Sequence, residues 1–428
     1  MCYNKKISSF NNAIRYLESL ALLGVQFDLK RIAKVLVNFN DPQDRVPVIH
    51  IAGTNGKGSV CAFLASILQA AGKRTGLYTS PHLVEVTERI QIERKDIDRA
   101  AFAGLISAVR EVCDSLRIKL TYFEILTAVA YIYFNREKVD VAIIETGMGG
   151  RLDATNVVKK PLVSVITNVD YDHTEYLGNT LKKIAREKAA IIKNNGVIVT
   201  AATQPEVLAV LKEQCRKKKA RLVRADKSIS IPAGWQIRLK GTHQKVNAAC
   251  AVGAIKELQR QGFKISEKAV KQGLAKAFWP GRLEIFKLPS AVCRPRTILL
   301  DGAHNPAGMR SLAEYIKTRK NGSSKLILVF GVLKDKDYYQ MIGSIAPLAD
   351  QVILVRPVSE RALSPHKIKK SWKAETPVLI TGSIPLAIKQ ALKLSKAKDL
   401  VTITGSLYTV GEARKYLITL KNGGEKHG

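Results

Sequence analysis

The sequence lacks a long apolar run, a signal-peptide core and paired cysteines, which are typical of membrane-spanning, secreted and disulfide-bonded proteins. The nearest approach to an apolar membrane span, residues 118–134, is interrupted by Lys119, Thr121 and Glu124. The N-terminal residues lack the apolar core of a signal peptide. The 6 cysteines are scattered and form no C-x-x-C pair, which argues against a disulfide framework and against a zinc site. We therefore expect a soluble cytoplasmic protein with reduced thiols.

Acidic residues are also scarce. The chain has 36 Asp and Glu against 69 Lys and Arg, a formal net charge of +33. Such an excess is compatible with a nucleic-acid partner, with attraction for polyanionic small molecules, or with a generally basic proteome. The basic residues are spread along the chain, with one dense run at 216–219, and no helix-turn-helix, RNP-type or zinc-finger pattern occurs. We therefore expect no nucleic-acid partner.

Short β-branched apolar runs alternate with segments of helical period, which is typical of a parallel α/β sheet. The chain is too long for one hydrophobic core, so we expect two domains, separated near a proline-containing segment at 279–296. The predicted strands lie within 46–53, 139–147, 161–168 and 196–201, and then within 297–304, 326–333, 351–358, 377–383 and 400–406. The predicted helices include 59–71, 123–134 and 181–192.

A glycine-rich loop, HIAGTNGKGS at 50–59, joins a predicted strand to a predicted helix. Its glycines let the backbone approach phosphate oxygens and direct N–H groups at them, and Lys57 adds a positive charge. Ser59, at the start of the helix, can place its hydroxyl on Mg²⁺. The loop departs from the common G-x-x-x-x-G-K-S/T pattern because a glycine separates the lysine from the serine. It predicts a site for the phosphates of a nucleotide.

A carboxylate ends the predicted strand in AIIETGMGGRLDATN at 142–156. Glu145 would stand at the carboxyl tip of a parallel strand, where α/β sheets bind their ligands, and its oxygens suit Mg²⁺. The glycines that follow let the chain pass close to a bound substrate. Taken alone, either motif also has a structural interpretation, as a glycine-rich turn or as a strand-end turn.

The two motifs and their order resemble the folylpolyglutamate synthase and dihydrofolate synthase family of the Mur ligase superfamily. GTNGKGS at 53–59 resembles the ATP loop of that family, and 145–156 resembles its E-x-G-x-G-G-R-x-D-A-T-N signature. Further segments that resemble blocks of the family lie at 78–90, 167–193, 241–251, 279–284, 301–306, 330–337 and 405–414. The resemblance therefore covers nearly the whole chain.

The resemblance implies an α/β fold with an N-terminal P-loop ATPase domain of the Mur ligase type at 1–284. A linker at 285–296 and a smaller, Rossmann-like glutamate-ligase domain at 297–428 would follow. In the implied reaction the γ-phosphoryl group of ATP passes to a carboxylate, and the amine of L-glutamate then attacks the acyl phosphate. The implied acceptors are dihydropteroate and tetrahydrofolate polyglutamates, two Mg²⁺ ions would neutralise the phosphates, and the enzyme would be a monomer.

The resemblance also implies a role for individual residues. The implied metal ligands are Ser59, Ser80, Glu145, His173 and Lys188. The implied ATP contacts are Gly53, Thr54, Asn55, Gly56, Lys57, Gly58, Ser59, Asn247, Arg282 and Asp301. The implied substrate contacts are His82, Phe123, Arg151, Asp153, His304, Ser406 and Tyr408. The implied catalytic residues are Lys57, Lys188, Asp301 and His304.

Lys188 carries a specific expectation, because enzymes of this family carbamylate the corresponding lysine. An ammonium group would repel a metal ion, whereas a carbamate on the same stem is an anionic oxygen ligand. Without the resemblance, Lys188 is typical of a surface lysine on a basic helix. The family's E-K-A-G ends here in Ala190 instead of glycine. For Asp301 the implied role is either ribose binding or orientation of the site.

Three other functions remain to be compared with this one. A Mur ligase of peptidoglycan precursors shares the chemistry but usually has an additional N-terminal domain, whereas the phosphate loop begins here at residue 50. A GTPase needs an N-K-x-D motif, and Asn168, Val169 and Asp170 lack the lysine. Within the family, some members only lengthen the polyglutamate tail and others also make dihydrofolate. We favour the bifunctional enzyme.

Overall fold

The computed structural model describes residues 7–424, apart from 21–23, 25, 27, 289–296, 321 and 323. The chain divides into two compact units. The first comprises Met1–His82, Val86–Arg238 and Lys245–Phe278, and the second comprises Leu83–Glu85, Leu239–Gln244 and Trp279–Gly428. No helix in the described part of the chain has both the length and the apolar character needed to cross a membrane.

The first unit contains one eight-stranded sheet and most of the helices. Its strands are β1 (Val48–Ala52), β2 (Thr75–Tyr78), β3 (Ile90–Ile92), β4 (Lys95–Asp96), β5 (Val141–Glu145), β6 (Val163–Ile166), β7 (Val197–Thr200) and β8 (Arg221–Arg224). Its helices are α1 (Phe10–Leu20), α2 (Leu29–Val37), α3 (Pro42–Arg45), α4 (Lys57–Ala70), α5 (Arg99–Ser115), α6 (Tyr122–Arg136), α7 (Thr174–Leu177), α8 (Leu181–Ala189), α9 (Pro205–Lys218), α10 (Ala225–Ser228), α11 (His243–Arg260) and α12 (Glu267–Lys276). Val86–Arg89 and Ala154–Val157 form 3₁₀ turns.

The strand order of this sheet is β4-β3-β2-β5-β1-β6-β7-β8. β3 pairs antiparallel with both of its neighbours, β2 and β4, and the other neighbouring strands are parallel. β1 and β5 are buried along their whole length, which is why both are nearly continuous apolar runs. Because the carboxyl ends of parallel strands share one edge, the turns after β2, β5, β1 and β6 are neighbours there.

Local signals fix the helices that surround this sheet. Thr121 and Glu124 form a capping box that starts α6, and Glu124 also accepts from Arg31 of α2 at 3.0 Å. α4 is buried over most of its length, and α12 packs against it. Gly273 of α12 makes that packing close, because a Cβ there would overlap the backbone of Ile67.

The second unit contains a six-stranded sheet of order β13-β12-β11-β14-β10-β9. Its strands are β9 (Glu284–Lys287), β10 (Thr297–Leu300), β11 (Leu326–Phe330), β12 (Gln351–Leu354), β13 (Val378–Ile380) and β14 (Leu400–Thr404). Its helices are α13 (Pro306–Arg319), α14 (Tyr338–Ile345), α15 (Pro365–Ser371), α16 (Ile384–Leu394) and α17 (Leu407–Gly424), with a 3₁₀ turn at Ala346–Leu348. Only β9 is antiparallel to its neighbour, so the turns after β11, β14 and β10 lie side by side.

The predicted fold class, with two alternating series of strands and helices, is confirmed. Each predicted strand range contains an observed strand, and the predicted helix at 181–192 ends earlier, at Ala189. Within the expected linker, residues 285–287 belong to β9, which pairs with β10, and 289–296 lie outside the described residues. The domain boundaries stay a prediction. The described cysteines Cys61, Cys113, Cys215 and Cys250 are buried free thiols, and Cys2 and Cys293 lie outside the described residues.

The close approach of α12 and α4 predicts a large effect of one added methyl group. We expect Gly273→Ala to lower the free energy of unfolding by about 1–3 kcal/mol, because the new Cβ would force the two helices apart. Gly104→Ala is the matched control, since Gly104 lies in α5 with open space around it, and it should gain roughly 0.5–1 kcal/mol from helix propensity. Urea unfolding measures the free energy of unfolding of both variants. Equal changes in the two variants would contradict the close packing of α12 on α4.

Candidate active site

The phosphate loop after β1 is held by the turn after β6. Thr54 N donates to Asn168 O at 3.0 Å, and Asn55 N donates to Asn168 Oδ1 at 2.8 Å. In the opposite direction, Thr167 Oγ1 donates to Asn55 O at 2.6 Å. Thr54 Oγ1 bonds both the carbonyl and the N–H of Asp170, each at 3.0 Å. The loop is therefore fixed by the neighbouring strand, not by its own residues alone.

Two glycines of the loop are required by close neighbours. Gly53 has φ +151°, and a Cβ there would overlap Thr167 Oγ1. Gly56 has φ +86°, and a Cβ there would overlap Oδ1 of Asn247 in α11. Asn247 is buried, so the residue expected to contact adenine lies directly against the phosphate loop. Its contact with adenine stays a prediction.

Two lysines and a carboxylate converge at this loop. Lys57 Nζ donates to the Gly53 carbonyl at 3.2 Å and lies 3.9 Å from Glu145 Oε1. Lys188 Nζ donates to the same Gly53 carbonyl at 3.0 Å. Ser80 N donates to Glu145 Oε2 at 3.2 Å. The structure thus brings together expected residues from four separate segments, at the neighbouring ends of β1, β2 and β5 and on α8.

Lys188 is the most buried of these charges, with only 3% of its surface exposed. Burial, with a smaller effect from the charge of Lys57, lowers the pKa of Lys188 to about 7. No Asp or Glu in the described ranges forms an ion pair with it. Its position depends on Gly150, where a Cβ would lie 2.8 Å from the carbonyl oxygen of Glu187. The signature loop therefore packs directly on the helix that carries Lys188.

The residues near Glu145 suit a hard divalent cation, because a buried carboxylate and hydroxyl side chains supply oxygen. Ser59 is buried in the first turn of α4, and Ser80 contacts Glu145. No cluster of three or more His, Cys, Asp and Glu able to hold a metal occurs among the described residues. His173 is the N-cap residue of α7, with φ +50°, and its Nε2 lies 3.9 Å from Asp172 Oδ1. Its role as a ligand stays a prediction.

The expected substrate residues of the first unit occupy different environments. Phe123 packs on the signature loop, since a Cβ at Gly147 would lie 2.6 Å from its ring. His82 Nδ1 receives a hydrogen bond from Arg89 Nε at 3.0 Å. Arg151 is largely exposed and pairs with Glu187 at 2.9 Å. Their contacts with substrate stay predictions.

Asp153 is buried and its carboxylate is occupied by the loop that carries it. Oδ2 accepts from Met148 N at 2.9 Å, and Oδ1 accepts from Thr155 N at 3.1 Å and from Thr155 Oγ1 at 2.5 Å. Burial raises the pKa of Asp153, and these hydrogen bonds oppose the increase. In this structure the carboxylate shapes the signature loop, and its expected contact with substrate stays a prediction.

In the second unit, the turn after β10 gathers three of the expected residues. Asp301 is buried, and its oxygens accept from Leu283 N at 2.8 Å and Ala303 N at 3.0 Å. Arg282 Nη1 donates to Gly302 O at 3.1 Å, and His304 Nδ1 lies 2.8 Å from the same oxygen. Whether Asp301 binds ribose or orients the site stays a prediction. Burial raises the pKa of Asp301, with Arg282 acting in the opposite direction.

The turn after β14 carries the last two expected residues. Ser406 is buried, its Oγ accepts from Thr409 N at 3.0 Å, and Thr409 Oγ1 donates to Gly331 O at 2.8 Å. Ser406 therefore starts α17 as a capping residue. Tyr408 is exposed over 43% of its surface. The glutamate-site roles of both residues stay predictions.

Sequence reasoning did not assign a role to Thr167, Asn168 or Asp170, which hold the phosphate loop. The available signal was the polar TNVD run directly after an apolar strand, which is typical of a functional strand end. It also missed His50, a polar residue inside the apolar strand β1. Local spacing in the sequence cannot show that Asn168 bonds Asn55 or that His50 bonds Thr155, because each bond joins residues more than a hundred positions apart.

Family models match both units of the chain. The Mur ligase middle domain matches residues 51–255, and the glutamate ligase domain of Mur ligases matches residues 281–407. The dihydrofolate synthase/folylpolyglutamate synthase of Bacillus subtilis is 35% identical over 96% of this chain and 99% of its own. The chain belongs to this family of Mur ligases.

Solved structures of dihydrofolate synthase/folylpolyglutamate synthases agree with this assignment. The Escherichia coli FolC in complex with DHPP and ADP has a TM-score of 0.87 and 29% identity, over 97% of this chain and 99% of that chain. A bifunctional folylpolyglutamate synthase/dihydrofolate synthase with Mn, AMPPNP and L-glutamate bound has a TM-score of 0.85 and 28% identity, over 97% of this chain and 100% of that chain. The expected family is confirmed.

The contact of Gly56 with Asn247 predicts a specific loss of nucleotide binding. We expect Gly56→Ala to weaken AMPPNP binding at least tenfold, because it adds backbone strain and displaces Asn247 from the loop, together worth more than about 1.4 kcal/mol. Gly72→Ala is the matched control: Gly72 has φ +72° but open space, so it should lose stability and keep its affinity. Titration calorimetry measures the AMPPNP affinity of both variants. Equal affinities would contradict the importance of the contact between Gly56 and Asn247.

Proposed function

We propose that this protein joins L-glutamate to dihydropteroate and to folates that carry a glutamate tail, with conversion of ATP to ADP and phosphate. The observation that carries the proposal is the convergence of Lys57, Lys188 and Glu145 at the phosphate loop. The relatives with this fold hold ADP with DHPP, or AMPPNP with Mn and L-glutamate. A ligase of this kind needs a site for the nucleotide, a divalent metal and a site for the amino acid whose amine attacks the acyl phosphate.

The phosphate loop binds and orients the nucleotide. The N–H groups at the start of α4 and the ammonium of Lys57 attract the phosphate oxygens, and the bond from Asn55 to Asn168 keeps the loop in place. We propose Mg²⁺ as the metal, held by Glu145 with the hydroxyls of Ser59 and Ser80, and a second site at His173. When bound, the metal supplies positive charge at the phosphates.

The acceptor carboxylate is expected to approach the γ-phosphate from the side of the signature loop. Phe123, which packs on Gly147, provides an aromatic face for the pterin ring. Transfer of the γ-phosphoryl group breaks its bond to the β-phosphate oxygen and gives an acyl phosphate and ADP. The amine of L-glutamate then attacks the acyl carbon, releases phosphate and loses a proton to solvent or to a base.

The turns of the second unit are proposed to serve the incoming glutamate. His304 lies on the turn after β10, Arg282 donates to Gly302 of that turn from the segment before β9, and Ser406 caps the start of α17. These residues fit the description of the matching domain as a glutamate ligase domain. The dependence on ATP and the free buried thiols support a cytoplasmic location. We expect a monomer.

We further propose that Lys188 is carbamylated. Its amine is buried, with a pKa lowered to about 7, so the neutral nucleophilic form is accessible near physiological pH. In the step, the amine nitrogen bonds the carbon of CO₂, a proton leaves to solvent, and the group becomes an anionic oxygen ligand. The change from cation to anion relieves the repulsion by Lys57, which acts on Lys188 in the unmodified protein.

The proposed activity predicts glutamate adducts from two acceptors. We expect the protein with ATP, Mg²⁺ and L-glutamate to convert both dihydropteroate and tetrahydrofolate, with phosphate release matching product mass. Removal of Mg²⁺ with EDTA should abolish both reactions, and added Mg²⁺ should restore them. Adducts from tetrahydrofolate alone would reduce the proposal to a folylpolyglutamate synthase. ATP turnover without either adduct would contradict the proposed acceptors.

Carbamylation predicts a dependence on CO₂ that is specific to one lysine. We expect ¹³C-bicarbonate to give a carbamate NMR signal in the wild-type protein that disappears in Lys188→Met, together with a loss of roughly a hundredfold or more in kcat. Lys182→Met, an exposed lysine on the same helix, is the control and should keep signal and rate. A wild-type protein that lacks the signal under CO₂ while retaining full activity would refute the modification.

A further inference from the structure

The central strand of the first unit contains one side chain that its surroundings do not favour. β1 has the sequence VIHIA, and His50 in the middle of this otherwise apolar strand is fully buried. Burying an imidazole costs free energy unless its nitrogens are hydrogen-bonded. In the described structure Nδ1 has no hydrogen-bond partner, and Nε2 lies 2.8 Å from Thr155 Oγ1. The single bond to Thr155 is therefore the feature that requires an explanation.

The hydrogen bonds around Thr155 fix the direction of every proton in the group. Asp153 Oδ1 accepts from Thr155 N and from Thr155 Oγ1, as a carboxylate does. The one hydroxyl proton of Thr155 is thereby committed to Asp153, so Oγ1 must accept from His50. The proton of the imidazole is then on Nε2. Burial, with Lys193 adding a smaller effect, lowers the pKa of His50 to about 3, which keeps the ring neutral.

The chain of bonds ends at the turn that follows Glu145. The other oxygen of Asp153, Oδ2, accepts from Met148 N at 2.9 Å. The same turn contains Gly147, which lies against the ring of Phe123. At its other end, this series of hydrogen bonds starts at His50 in β1, three residues before Gly53, the first glycine of the phosphate loop. One buried series of hydrogen bonds therefore joins the strand of the phosphate loop to the turn of the acceptor site.

We infer that His50 is a positioning residue of the ligase, which acts through the Thr155 hydroxyl and the Asp153 carboxylate to hold the Gly147–Met148 turn in place. This inference rests on the proposed function, because the turn matters for catalysis only if the acceptor binds beside it. His50 itself touches no reacting atom. Its loss leaves the Thr155 hydroxyl free to turn away from Asp153, and the turn then samples other conformations.

The test compares variants that break the chain at different bonds. We expect His50→Leu and Thr155→Val each to raise KM for dihydropteroate about 10- to 100-fold, while KM for ATP stays within about twofold. His50→Gln keeps a donor at the position of Nε2 and should recover most of the loss. The double variant should be no worse than the poorer single variant, because both changes break one chain.

Ser164→Ala is the matched control. Ser164 is buried in β6 directly beside His50 in the sheet register, and its hydroxyl bonds Ile191 O at 3.1 Å, outside the chain. It should lose stability and keep the KM for dihydropteroate. ¹⁵N-histidine NMR adds a readout independent of activity: wild-type His50 should show a protonated Nε2, and Thr155→Val should lose that preference.

The outcomes separate this inference from the proposed function. A wild-type protein that makes no glutamate adduct contradicts the function, whereas the NMR signature still reports on the hydrogen bonds. An active wild type together with an unchanged KM in both His50→Leu and Thr155→Val overturns the positioning role. Additive losses in the double variant, or an equal loss in Ser164→Ala, overturn it as well. If His50→Leu does not fold, Thr155→Val and His50→Gln carry the same comparison.

Discussion

The site depends on the hydrogen bonds between the phosphate loop and the turn after β6, most of which have one side-chain partner. A loop that presents N–H groups to phosphate cannot satisfy its own carbonyls with a regular ladder, so neighbouring segments must do so. Thr167 and Asn168 bond Asn55, and the two lysines donate to the Gly53 carbonyl. This arrangement requires β6 beside β1, which the parallel sheet provides. The loop is therefore shaped before a nucleotide arrives, and binding needs little reorganisation.

The second constraint is the concentration of buried charge around that loop. Lys57, Lys188 and Glu145 lie where water is largely excluded, and charges in such a place interact strongly but cost free energy to bury. The bound phosphates and metal would balance these charges. The lowered pKa of Lys188 has the same origin, since burial and the charge of Lys57 both disfavour its ammonium form. Groups with strongly shifted pKa values are common at functional sites for this reason.

Close packing explains how distant segments share this small region. Gly150 allows the signature loop to rest on α8, Gly147 receives the ring of Phe123, and Gly56 receives Asn247. At each of these glycines a neighbouring residue fills the space that a Cβ would need, so the three positions join the signature loop, α8 and the phosphate loop. In the second unit, one carboxylate holds two segments together. Asp301 accepts from the backbone N–H groups of Leu283 and Ala303, and these residues are the chain neighbours of Arg282 and His304.

The sequence alone determined the fold class, the strands and the family, because apolar periodicity and the GTNGKGS loop are local features that neighbouring residues enforce. It also supplied the candidates Lys57, Glu145 and Lys188. Only the tertiary structure decided that these meet, that Asn168 holds the loop and that His50 reaches Asp153 through Thr155. Such contacts depend on strand order and on the close approach of segments that are distant in the sequence. The spacing of residues along the sequence predicts neither the strand order nor these approaches, because the order of strands in a sheet is set by how the whole core packs.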